Sequence, residues 1–195
     1  SPTLVRAIHQ RTNGNPLFLV TVVEEMLRQG RLRGPATGGE HVVDNAAAVI
    51  VDIPESLRRL IDQQLEQLHP EERTCLEMAS VAGREFSAAA VAAGTDDGVE
   101  ELEARYAALA RRGQFVQACG TEAWPDGTIT ARYGFTHDLY QQVAYQRLGA
   151  AHRVRLHRQL ARHLEAAYGP RASERAAELA WHCEQGREQA RATLY

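Results

Sequence analysis

The sequence contains no lysine; all 22 of its basic side chains are arginines. A chain without lysine cannot build the G-x-x-x-x-G-K-[ST] loop that cradles and neutralises nucleotide phosphates, so it holds no complete P-loop site of its own. The G-x-S-x-G elbow, H-E-x-x-H and C-x-x-C are also missing, which removes the commonest hydrolase, zinc-protease and dithiol signatures. Cysteine is scarce. Cys75, Cys119 and Cys183 are odd in number and show no metal-ligand spacing, which implies free, mostly buried thiols in a reducing cytoplasm. Aromatics make up only 6% of the chain, so the core must rest on Leu, Val and Ala. No apolar run approaches the roughly 20 residues that span a bilayer. The opening SPTLVRAIHQ lacks the basic and apolar regions of a signal peptide; it reads as mid-helix, as though cut from a longer protein. A basic excess is absent too: the net charge is −3, which argues against a nucleic-acid binder. Arginine without lysine, beside abundant alanine, reads as the coding bias of a high-GC bacterium.

What is present is ordinary for a globular protein: 195 residues, 44% apolar and 24% charged, enough for one or two domains. The pattern is mainly helical. Ser1-Pro2 starts a helix ending at Thr12-Asn13-Gly14, and Asn15-Pro16 opens another over Leu17–Gln29, so apolar in its first turns that burial is expected. Residues 30–50 hold four glycines and a proline and read as a linker, with a short strand at His41–Val43. From Ile53-Pro54 the helical period resumes through Leu57, Leu60, Ile61, Leu65 and Leu68. Pro70 opens a helix that stops at Gly83, Ser87 caps a short alanine-rich helix to Gly94, and Asp97 caps one that stops at Gly113. The period then becomes two: Gln114–Cys119 and Ile129–Phe135 read as strands around the turn Pro125-Asp126-Gly127-Thr128. Three helices followed by a hairpin is the order of a winged helix-turn-helix. Helices follow over His137–Leu148, Ala151–Tyr168, Ala172–Gln185 and from Glu188 onward, as in the start of a TPR-like array. The expected division is therefore 1–50, 51–148 (winged helix) and 149–195 (TPR-like).

The eight histidines are scattered. His157 and His163 fall on different faces of one helix, His182-Cys183 has no nearby partner ligands, and no metal site is expected. Asp96-Asp97 and Glu100-Glu101 read as acids favouring a helix start.

Two motifs rise above this background. Gly14-Asn15-Pro16-Leu17-Phe18-Leu19, followed by Glu24 and Leu27, resembles the lid segment of STAND-class signalling ATPases, which in bacteria include large transcription regulators and cyclase-associated ATPases. Phe135-Thr136-His137-Asp138-Leu139, followed by Tyr145, Arg153, His157 and Leu164-Glu165, resembles the segment after the winged helix of the same class. Ile53-Pro54-Glu55-Ser56-Leu57 through Gly83-Arg84-Glu85-Phe86 is similar to the entry into that domain, so the resemblance spans nearly the whole chain.

The resemblance implies that Asn15 and Pro16 lie against the adenine of ADP or ATP, and that His137 contacts the ADP β-phosphate. Thr136 stands where a methionine is usual. A histidine suits that task because both ring nitrogens can donate to an anion, and a phosphate favours its charged form. The plainer alternatives are that Asn15-Pro16 only starts a helix and that His137 or Asp138 only caps one. The implied protein is a nucleotide switch whose catalytic core lies upstream of Ser1. This chain is then not an enzyme, and nucleotide belongs to the longer protein. Two other readings stand beside it. In a DNA-binding winged helix, the helix Gly98–Arg112 would present Glu100, Glu101 and Glu103 to phosphates, which is the wrong sign. In a helical scaffold, the helices from Ala151 would bind another protein, with Arg153, Arg155, Arg158 and Arg162 as a basic stripe.

Overall fold

The computed structural model describes residues 15–28, 55–95 and 97–195, together with Arg6 and His9. The helix expected before Gly14, apart from those two helical residues, lies outside the described residues, as do the linker 30–50, the strand at His41–Val43 and the entry Ile53-Pro54. Two compact units are present, residues 1–67 and 68–195.

In the first unit, α1 (Pro16–Arg28) packs on α2 (Glu55–Glu66). Asn15 starts α1: its Oδ1 accepts from the Phe18 amide at 3.4 Å and its carbonyl from the Leu19 amide at 2.9 Å, with Pro16 in the first turn. Phe18, Val22 and Met26, four residues apart, form the buried stripe. The expectation that the whole apolar start is buried needs correction, because Leu19 and Val20 are 38% and 51% exposed. Consecutive residues point about 100° apart around a helix, so one packed stripe cannot cover four in a row. On α2 the buried stripe is Leu57, Ile61 and Leu65.

The second unit is mainly helical with a small antiparallel sheet. Its elements are α3 (Pro70–Ala82), β1 (Glu85–Ser87), α4 (Ala88–Ala92), α5 (Val99–Arg112), β2 (Val116–Ala123) and β3 (Ile129–Phe135). They continue as α6 (Asp138–Arg147), α7 (Ala150–Tyr168), a 3-10 segment (Gly169–Arg175), α8 (Ala176–Gln185) and α9 (Gln189–Ala192). The strand order is β1-β3-β2. The expected hairpin therefore gains a third strand, in which Glu85, Phe86 and Ser87 pair with Gly134, Tyr133 and Arg132; three residues are too few to show a period. The cap of α5 is Gly98 rather than Asp97, whose carboxylate turns to Arg105 at 3.4 Å. Gly113 ends that helix with φ 65°, a left-handed conformation that glycine adopts without strain.

The hairpin turn closes with the Trp124 amide donating to the Thr128 carbonyl (2.8 Å) and the Thr128 amide to Asp126 Oδ1 (2.9 Å). Trp124 is buried, and it shares one core with Leu160, Ala161, Leu164, Tyr168, Leu179 and Cys183. The hairpin and the helices after residue 148 thus pack as parts of one unit. The segment expected as a helix from Ala172 begins in the 3-10 segment and becomes α-helical only at Ala176. Cys75 and Cys183 are buried, Cys119 is exposed, and all three are free. Among the described residues, no helix is long and apolar enough to cross a membrane.

Candidate functional site

His137 sits at the junction where β3 gives way to α6. Its backbone is extended (φ −148°, ψ 140°), and its Nδ1 accepts from the Leu139 amide at 3.1 Å, so the imidazole is the N-cap of α6. The ring is 5% exposed and lies 6.4 Å, edge to face, from Tyr140. While Nδ1 serves as the cap acceptor, Nε2 is the ring nitrogen able to donate elsewhere. Two neighbours hold the junction. The Thr136 amide donates to the Phe115 carbonyl at 2.9 Å, and its hydroxyl reaches the carbonyls of Gln114 and Phe115 at 3.1 and 3.2 Å. Asp138, the other candidate cap, is exposed and pairs with Arg84 at 3.0 Å. Asn15 and Pro16 start α1 in the other compact unit, where Asn15 is likewise an N-cap.

The second motif condenses around a buried polar cluster. The Tyr145 hydroxyl on α6 lies 3.0 Å from His157 Nε2 on α7, and the Arg153 guanidinium stands 4.9 Å over the Tyr145 ring while donating to the Tyr145 carbonyl at 3.3 Å. His157 Nδ1 lies 2.9 Å from His182 Nδ1 on α8, and both histidines are fully buried. Trp181 places its ring edge-on, 4.9 Å from His157 and 4.8 Å from His182. Burial, then the charge of Arg153, lowers the pKa of His157 to about 4; burial, then His157, lowers that of His182 to about 3. The motif that His157 shares with Tyr145 and Arg153 was the available signal for it. Its meeting with His182 was not visible, since 25 residues separate them.

The charged surfaces are largely spent on internal pairs. On α5, Arg105 bridges Glu71 (3.5 Å), Asp97 (3.4 Å) and Glu101 (2.6 Å), and Arg112 pairs with Glu72 (2.6 Å). Glu103 accepts from the Ala131 amide at 2.8 Å. On the hairpin, Glu122 pairs with Arg175 and accepts from the Tyr168 hydroxyl at 3.2 Å. In the arginine stripe of α7, Arg158 donates to the Gly186 carbonyl (2.6 Å) and Arg162 pairs with Glu188 (3.1 Å), while Arg155 is exposed. Among the described residues, no group of three or more His, Cys, Asp or Glu side chains is placed to hold a metal ion.

Compared with protein-family models, with curated proteins and with solved structures, the chain matches none.

Proposed function

We propose that this chain is the regulatory part of a nucleotide-dependent signal-transduction ATPase of the STAND class, of the kind that regulates transcription. In this reading residues 1–50 end the ATPase lid, 51–148 include a winged helix, and 149–195 begin a TPR-like array. ADP bridges the upstream catalytic core, Asn15-Pro16 and His137; exchange for ATP releases the winged helix and the helices behind it. The observation that carries the reading is the topology of residues 70–137. Helix, strand, two helices and a hairpin, with the first strand added beside β3, is an order that supports the winged-helix reading, and His137 follows closely on the last strand. Supporting it, the hairpin shares a core with α7 and α8, so a release would move the second unit as one block.

A switch needs a nucleotide that binds one arrangement better than the other. The corresponding test is the nucleotide content of the full-length protein. Tightly held ADP after purification, with a change of shape or oligomeric state on exchange for ATP, is expected. A protein that carries no nucleotide, or whose shape ignores it, contradicts the proposal.

The reading as a DNA binder loses ground on charge. The exposed start of α5 carries Glu100 and Glu101, its Arg105 and Arg112 are held by carboxylates, and Glu122 of the hairpin is turned to Arg175. Phosphate binding requires available cations.

A further inference from the structure

We propose that the buried His157–His182 contact is an acid-sensitive latch: protonation of the pair releases α8 and α9 from α7 while the sheet and helices α3 to α6 stay folded. This inference is independent of the nucleotide reading.

Proton accounting at the contact leads there. Two nitrogens 2.9 Å apart hold one hydrogen between them. In the neutral pair, one Nδ1–H donates to the other Nδ1, His157 Nε2 meets the Tyr145 hydroxyl, and His182 Nε2 has no partner among the described residues. A first added proton leaves a buried cation with no anion beside it. A second puts a hydrogen on each of the facing nitrogens, and the contact must open.

None of the groups that face the pair carries a negative charge to balance either step. From α6 comes the Tyr145 hydroxyl, from the start of α7 the cation of Arg153, and from α8 the Trp181 ring. The charges that bear on the rings are those of Arg153 and of each other, all of one sign; no carboxylate does so among the described residues. Toward the middle of α7, α3 and α4 present Met78, Val81, Ala90 and Val91 to Leu156 and Leu160, which offer nothing to a cation.

What otherwise holds α8 and α9 on α7 is Leu179 and Cys183 in the shared core, Arg158 on the Gly186 carbonyl, and the ion pairs Arg162–Glu188 and Arg191–Glu165. Burial opposes the charge of Glu188, yet Arg191 and Arg162 keep its pKa below the ordinary value, so that pair persists while histidines titrate. The sheet, in contrast, packs Phe86 against Tyr106 and Phe135, rings that take up no proton as histidines titrate.

The test is an acid titration of the ¹⁵N-labelled chain followed by NMR. An exposed histidine titrates near pH 6.5, so each pH unit below that favours the open form up to about tenfold per histidine, or about a hundredfold for the pair. Amides of residues 176–192 are expected to shift to disordered positions between about pH 6.5 and 4, while those of 85–87 and 132–135, away from the core shared with α8, keep their folded positions. Loss of both sets at a single midpoint, or retention of α8 until carboxylates titrate, overturns the latch. In His182→Gln the uptake that accompanies opening should fall from nearly two protons to nearly one; an unchanged value also overturns it. Should that variant fail to fold, the two-region comparison in the native chain still decides.

Discussion

The second unit contains two aromatic clusters of opposite chemistry, one buried throughout and one in which two buried histidines lie between half-buried Tyr145 and exposed Trp181. In the sheet cluster, Phe86 lies 4.9 Å from Tyr106 and 5.7 Å from Phe135, and Tyr106 lies 5.3 Å from Tyr133. Its two hydroxyls donate to fixed backbone carbonyls, Tyr106 to Cys75 at 2.8 Å and Tyr133 to Glu103 at 3.1 Å. In the helical cluster, His157 meets the Tyr145 hydroxyl and His182 through ring nitrogens that can change protonation, and Trp181 packs edge-on against both histidines. Burying a polar ring requires a partner in both. A carbonyl partner leaves the cluster indifferent to pH, whereas an imidazole partner makes its stability depend on proton concentration.

The largest effect that separates the two comes from truncating the sheet cluster. Tyr106 is fully buried, and Tyr106→Ala should cost about 3–5 kcal/mol in urea unfolding, by the same amount at pH 7 and pH 5. A cost that changes with pH would show that titration is not confined to the helical cluster. The native chain should itself lose about 2–4 kcal/mol between pH 7 and pH 5. The folded pKa values of His157 and His182, about 4 and about 3, lie below the ordinary 6.5. The unfolded chain therefore takes up protons first. The penalty is absent above pH 6.5 and grows as pH falls toward the folded values; a flat profile in denaturant melts at several pH values would refute it.

A smaller effect tests the tie between the clusters. Glu122 is about one-fifth exposed and its partner Arg175 about one-third, so screening trims their bond. Glu122→Ala should cost about 1–2 kcal/mol, visible as a lower unfolding midpoint with Trp124 fluorescence as the probe. The smallest concerns the junction between sheet and helices. His137→Ala removes the cap of α6 and should cost about 1 kcal/mol, whereas His137→Asn restores a cap acceptor and should cost a few tenths at most. Equal losses in thermal melts would mean that capping is not what the imidazole contributes to stability.

Much of the fold was legible because its signals are local. Pro70, Ser87, Gly113 and the Pro125–Thr128 turn each mark a boundary through their own backbone preferences, and β3 ran over Ile129–Phe135 as its alternation implied. What was illegible depends on partners distant in sequence. β1 is a strand only because Arg132–Gly134 are there to pair with it. Leu19 and Val20 are exposed because a single stripe of α1 is packed. The site was legible in the same uneven way. His137 could be placed at a helix start from its neighbours, and Tyr145, Arg153 and His157 shared a motif. The partner of His157, on another helix, leaves no local trace.

The nucleotide switch stands or falls at His137, whose capping and phosphate roles the asparagine variant separates. The most direct measurement is the ADP retained by the full-length protein after purification, native beside His137→Asn. The proposal predicts that the native protein holds ADP and that the variant, equally stable, loses it. Equal retention in both, or none in either, would leave His137 as the cap of α6 alone and contradict its assignment as the phosphate sensor.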